Sequence, residues 1–225
     1  MRSVARWTLP AELERGRTAA AAALLRTYFF DREADDSPSY SGSAFERFGG
    51  GGDRTDVADI FTADDVVAVS LLSVKVPGSA ALRILERDRD ALAGLLRLIP
   101  AEVELVDAAS DIVGDGSPAD LLWRALRSAG AGPVTTSKLL ARKRPKLLPV
   151  IDSVVKEVLN HSDRQSYWMT LRSVLRDDER ALVDILAAAR SEAELGDDIS
   201  LIRCFDVVVW MVGRRDGHLR PRGRY

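Results

Sequence analysis

Apolar residues fall in helix-length segments along this chain, and glycine, proline and aspartate separate them. Pro10 to Phe30 predicts an alanine-rich helix ending on Tyr28, Phe29 and Phe30, with Trp7 and Leu9 pinning the residues before it. Thr62-Ala63-Asp64-Asp65 reads as a helix start, with Thr62 as N-cap and Asp65 at the third position. Val66, Val67, Val69, Leu71 and Leu72 follow, apolar on nearly every side, so this helix is expected to be central and buried. It stops near Val76-Pro77-Gly78, and helices are expected from Ser79 to about Arg89 and from Ala91 to Leu98. Alternation in Glu102-Val103-Glu104-Leu105 suits a strand, while a short helix or a turn fits 102–113 as well. Ser117 or Asp120 opens the helix carrying Leu121, Leu122, Trp123 and Leu126. Ser166 to Leu175, Asp177 to Ala189 and a last helix opened by Asp198 or Ser200 complete the series.

Between the first two helices lies a long loop, Asp31 to Asp56, with the glycine run Gly49 to Gly52. Tyr40, Phe45 and Phe48 within it are read as core anchors or, alternatively, as ligand contacts. The fold class that follows is all-α.

Composition narrows the function classes. The chain has 225 residues, 46% of them hydrophobic, and a net charge of −2. Its one cysteine, Cys204, excludes an internal disulfide framework and a four-cysteine cluster, and is expected to be a buried small hydrophobe. No run of about eighteen apolar residues predicts a membrane span. Glu12, Glu14, Arg15 and Arg17 ahead of the alanine run argue against a secretory signal, so a cytoplasmic protein is expected. His161 and His218 form no ligand cluster, and no phosphate-binding or dinucleotide fingerprint occurs. Neither a cofactor nor a metal is expected.

Gly130 to Leu159 is the stretch with the most chemical content. Gly130-Ala131-Gly132 predicts a tight turn between helices, both glycines serving its geometry, and Pro133 suits the first position of the next helix. That helix, Val134 to about Lys143, would offer free backbone N–H groups to a phosphate. Lys138, Arg142, Lys143, Arg144 and Lys146 follow with no acid among them. Pro145 and Pro149 end the helix, and Asp152-Ser153 begins another, with Val154, Val155, Val158 and Leu159.

This order resembles the hairpin of the helix-hairpin-helix DNA glycosylase superfamily, in which a glycine turn, a Thr-Ala pair and then Val-Asp recur. Here Gly130-Ala131-Gly132, Thr135-Thr136 and Ile151-Asp152-Ser153 match. Leu71-Leu72-Ser73-Val74-Lys75 is similar to the Leu-Leu-Ser-x-Gln that ends a buried helix in that family. The resemblance implies two helical lobes, 62–127 as one and 10–30 with 161–213 as the other. The hairpin and the Asp-bearing helix, 128–160, would lie at their junction, with a basic tail over 214–225. It also implies double-stranded DNA as partner, contacted by Gly130, Gly132, Val134, Thr135, Lys138, Arg142, Lys143, Arg144 and Lys146. Asp152 would be the catalytic carboxylate.

Three departures qualify what is implied. Val134, eighteen residues ahead of Asp152, stands where bifunctional members carry a Schiff-base lysine, so any activity would be monofunctional; Lys138, a turn further on, is not assigned that role. Lys75 replaces a glutamine that wedges into the DNA stack, and reads equally as a lysine snorkelling from a helix end. The interval from Lys75 to Gly132 is short for the family, implying a missing or shortened helix. Asp152 reads either as the catalytic carboxylate or as a plain N-cap, for which aspartate is favoured. Arg203 and Asp206 are read as a structural ion pair. The function expected is DNA binding with monofunctional base excision at Asp152. A non-catalytic DNA-binding module of the same fold is the alternative, and an interaction protein without nucleic acid the third class.

Overall fold

The computed structural model describes residues 7–163 and 166–217. His218 and the tail arginines Arg220, Arg222 and Arg224 lie outside them. Eleven α-helices occur among the described residues: α1 Thr18–Phe30, α2 Ala63–Leu71, α3 Gly78–Leu82, α4 Arg89–Arg97, α5 Ser110–Val113, α6 Pro118–Ser128, α7 Pro133–Lys143, α8 Ser153–Val158, α9 Tyr167–Arg176, α10 Ala181–Glu192 and α11 Leu201–Arg215. The architecture is all-helical.

Local chemistry sets most helix starts. At α2 the Thr62 side chain accepts from the Asp65 amide while the Asp65 carboxylate accepts from the Thr62 amide at 2.8 Å, a reciprocal capping box. Ser117 caps α6, with Pro118 in its first turn, and Ser166 and Ser200 cap α9 and α11. The expected first helix is shorter than its alanine pattern: one 3-10 turn, Ala11–Leu13, precedes a break at Gly16, and α1 follows. The span 102–113 is no strand. It turns, with the Leu105 amide donating to the Lys146 carbonyl at 3.0 Å, and ends in α5.

The helices pack in two sets that share one hydrophobic core. α1 packs on α10 and α11, α8 on α11, and α9 on α10; α2 packs on α7, α4 on α6, and α6 on α5 and α7. In α11 every residue from Ile202 to Val209 is buried, at about 1.5–3 kcal/mol for each large apolar side chain taken from water. Trp7 holds the N-terminal segment against this core, donating its indole N–H to His161 Nδ1 at 3.0 Å and packing on Tyr167 and Phe205. α2 is less central than its composition suggests. Ala68 and Val69 are buried, but Val67 is 46% exposed, because so short a helix meets α7 with one face only.

The basic run departs most from expectation. Arg142, Lys143 and Arg144 point inward, each 2% exposed or less. Arg142 donates to the carbonyls of Phe45, Glu46 and Phe48 and pairs with Asp65 at 3.3 Å. Lys143 Nζ reaches the Gly52 carbonyl at 3.0 Å, that of Val57 at 3.2 Å and Asp65 Oδ2 at 2.5 Å. Arg144 reaches the carbonyls of Ile99, Ala58 and Leu96 and the Asp59 carboxylate. The reason is backbone arithmetic. A long segment without regular ladders leaves buried carbonyls that need donors, and these cations supply them. Gly52 belongs to the same arrangement, since a Cβ there would lie 2.6 Å from the Arg142 carbonyl oxygen. These three side chains are therefore corrected from phosphate contacts to structural clamps of the loop. Lys146 remains partly exposed, paired with Glu102 at 2.5 Å.

Candidate functional site

Asp152 stands where the segment after α7 enters α8, and its two oxygens have different partners. Oδ1 accepts from the Val154 amide at 3.0 Å, the bond of an N-cap. Oδ2 accepts from Lys138 Nζ at 3.3 Å. Capping and placement in a site are thus held by one carboxylate at once. Lys138 comes from the buried side of α7, 2% exposed, and also donates to the Leu72 carbonyl at the end of α2, at 2.8 Å. It is an interior partner of Asp152, a correction to its expected place among surface DNA contacts. Burial lowers its pKa below the usual lysine value, and the nearby Asp152 opposes that shift.

Both residues line a cleft of about 730 Å³ between the 39–42 segment, the end of α2, α8 and α11. Tyr40 and Trp210 stand in its wall with rings 6.0 Å apart and nearly perpendicular. The Arg214 guanidinium lies over both, 4.8 Å from the Tyr40 centroid and 5.8 Å from that of Trp210. A second cavity of about 470 Å³, with Trp123, Val134 and Trp168 among its walls, also has Asp152 in its lining.

Beneath the larger cleft, Arg203 and Asp206 form the expected ion pair within a wider network. Arg203 also reaches Glu46 Oε1 at 2.6 Å, the Tyr28 hydroxyl at 3.0 Å and the Gly42 carbonyl at 3.1 Å. Asp206 and Glu46 share Arg203 as their hydrogen-bonded cation, with Arg142 also acting on Glu46, while Asp152 pairs with Lys138. Asp206 Oδ1 and Glu46 Oε2 are buried without a hydrogen-bond partner among the described residues. Burial, only partly opposed by Arg203, pushes Asp206 up to about 6 and raises Glu46 as well. Phe45 is a core anchor, 2% exposed, whereas Tyr40 faces the cleft.

The turn between α6 and α7 divides its two glycines. Gly130 is exposed with φ +100°, a conformation that disfavours a side chain. Gly132 is the N-cap of α7 with φ −66°, and a Cβ there would meet nothing closer than Thr135 Oγ1 at 4.0 Å. Only Gly130 needs to be glycine for its geometry. No side chain caps α7, and Pro133 at its start has no N–H, which leaves the Val134 and Thr135 amides as its first donors. Thr135 is buried and Val134 half-buried. Lys75 is exposed beyond the end of α2.

The cations flanking this turn are ones the sequence did not single out. Arg127 donates to the Ala131 carbonyl at 2.8 Å, and Arg83 to that of Ser128. Tyr40, Trp210, Arg214 and Asp206 were likewise not read as one site. Their only sequence signal was the aromatic content of the 31–56 loop and the apolar face of the last helix. No group of three or more His, Cys, Asp or Glu among the described residues is arranged to hold a metal ion, and no helix among them is long and apolar enough to cross a membrane.

No curated protein and no solved structure matches this chain. Residues 21–213 match the model of the family of unknown function DUF6308, and the chain belongs to that family.

Proposed function

We propose that this protein binds DNA at the α6–α7 turn and excises a base at Asp152, as a monofunctional glycosylase. The observation that carries the reading is the cleft of about 730 Å³ opening on Asp152, whose second oxygen is held by Lys138 at 3.3 Å. That volume lies within the range of small-ligand sites and suits a flipped nucleotide. As the base departs, positive charge develops on the sugar, and a carboxylate held beneath it stabilises that state and orients water. The uncapped start of α7 would take a backbone phosphate, with Arg83 and Arg127 beside it. Tyr40 and Trp210 would pack on the extruded base, and Arg214 at their edge would meet its phosphate. Val134, half-buried in place of the Schiff-base lysine, agrees with hydrolysis by water alone.

The test is base release from duplex oligonucleotides carrying a panel of damaged and modified bases, by wild type and by Asp152→Asn. Release by wild type and its loss in the variant, with DNA binding retained, supports the reading. Binding without release from any substrate favours the non-catalytic DNA-binding module.

A further inference from the structure

Excision leaves one chemical requirement unmet by Asp152. A neutral base departs with the electron pair of the glycosidic bond, and its nitrogen must receive a proton. Asp152, ionised so as to stabilise the positive sugar, takes a proton from the water and has none to give. We propose that Lys138 is the proton donor to the departing base, and that Asp152 returns the proton to it. This rests on the excision reading above.

The geometry singles out Lys138. Its ammonium lines the same cleft as Asp152 and carries three N–H bonds. One goes to the Leu72 carbonyl at 2.8 Å and one to Asp152 Oδ2 at 3.3 Å, which leaves the third without an acceptor among the described residues. A sugar carbon resting against the Asp152 carboxylate, with its base turned toward Lys138, would bring the glycosidic nitrogen within reach of Nζ. Arg203 is engaged with Glu46, Asp206, Tyr28 and Gly42, and a guanidinium does not release protons at working pH. The interior position of Lys138 also weakens its hold on the proton, bringing its acidity toward that of a leaving nitrogen base.

The atoms balance. The bond between sugar and base nitrogen breaks, its electron pair stays on the nitrogen, and the nitrogen takes the Nζ proton. Water adds its oxygen to the sugar carbon and gives one proton to Asp152 Oδ2. That proton passes across the 3.3 Å contact to the neutral amine, and both side chains return to their starting charge. The net change is one water consumed.

The experiment compares leaving groups that need the proton with leaving groups that do not. Duplex oligonucleotides carrying uracil or hypoxanthine are paired with ones carrying 5-fluorouracil, a better leaving group, or N7-methylguanine, already positively charged. Lys138→Arg keeps the charge and the reach to Leu72 and Asp152. It should slow release of uracil and hypoxanthine at least ~20-fold more than release of the other two. Wild type alone gives an independent reading: a solvent deuterium isotope effect on the neutral bases and little on N7-methylguanine. Equal losses across each pair, or an isotope effect that does not separate them, overturns the role of Lys138 while base excision at Asp152 stands. Release of none of the four by wild type, with none from the wider panel, overturns excision and the donor together.

Discussion

Lys138 and Asp152, fourteen positions apart, meet at 3.3 Å because α7 turns the lysine inward while the proline-bounded loop brings the aspartate back to it. One carboxylate oxygen caps α8 and the other holds the ammonium, so two roles can be separated by substitution.

Asp152→Ala should cost about 1 kcal/mol through the lost cap and more through the buried Lys138 ammonium left without its carboxylate. Asp152→Asn keeps a capping oxygen for Val154 but loses the charge facing Lys138, and should unfold at a higher temperature than the Ala variant while releasing base far more slowly than wild type. Thermal unfolding and base release measured on both variants check this. Equal release by wild type and the Asn variant on a confirmed substrate would remove Asp152 from the chemistry. Borohydride should trap no adduct at Val134, which carries no amine.

Arg142→Ala should be strongly destabilising, by about 3–5 kcal/mol, since it leaves three loop carbonyls without their donor and Asp65 with one of its two cations, Lys143. Lys146→Ala, breaking a solvent-facing pair with Glu102, should cost less than about 1 kcal/mol. Chemical denaturation of the two variants gives the comparison. Similar midpoints would contradict the clamp assigned to Arg142.

At the α6–α7 turn the two glycines should respond differently. Gly130→Val places a β-branched residue at φ +100° and should cost about 1–3 kcal/mol. Gly132→Ala enters open space at φ −66° and should leave stability within about 0.5 kcal/mol of wild type. Denaturation midpoints decide it, and a larger effect at Gly132 would contradict this geometry.

Duplex binding should weaken with salt through few phosphates, because Arg142, Lys143 and Arg144 are spent inside. Replacing Arg83 and Arg127 together by glutamine should flatten the salt dependence. Fluorescence anisotropy at several salt concentrations measures it, and an unchanged slope would place the DNA on another face.

Asp206 makes stability depend on pH in a defined direction. Its folded pKa, pushed by burial to about 6 from 3.8, means that the folded state holds the proton longer than the unfolded chain does. Its contribution is therefore most favourable below pH 3.8 and is lost as pH rises through 6. Asp163 and Asp198, lowered by hydrogen bonds to Lys156 and Arg47, act oppositely. The difference between wild type and Asp206→Asn, followed by urea unfolding from pH 4 to 7, isolates the Asp206 contribution. Parallel curves would show that Asp206 titrates alike in both states.

Sequence alone determined what depends on near neighbours. Thr62 with Asp65, Ser117 with Pro118, and Ser166, Ser200 and Asp152 each announce a helix start, because a cap is a contact between residues two or three apart. The all-helical class follows from the spacing of apolar residues for the same reason. The fate of the basic run was decided by the tertiary structure. Arg142, Lys143 and Arg144 read alike whether water or protein solvates them, and their acceptors are carbonyls of 45–58 and 96–99, some 45 to 97 positions away. The cleft shares this dependence, since Tyr40, Lys138, Asp152 and the α11 pair Trp210 and Arg214 come from four separate segments and meet only when α11 is buried against α8 and α1.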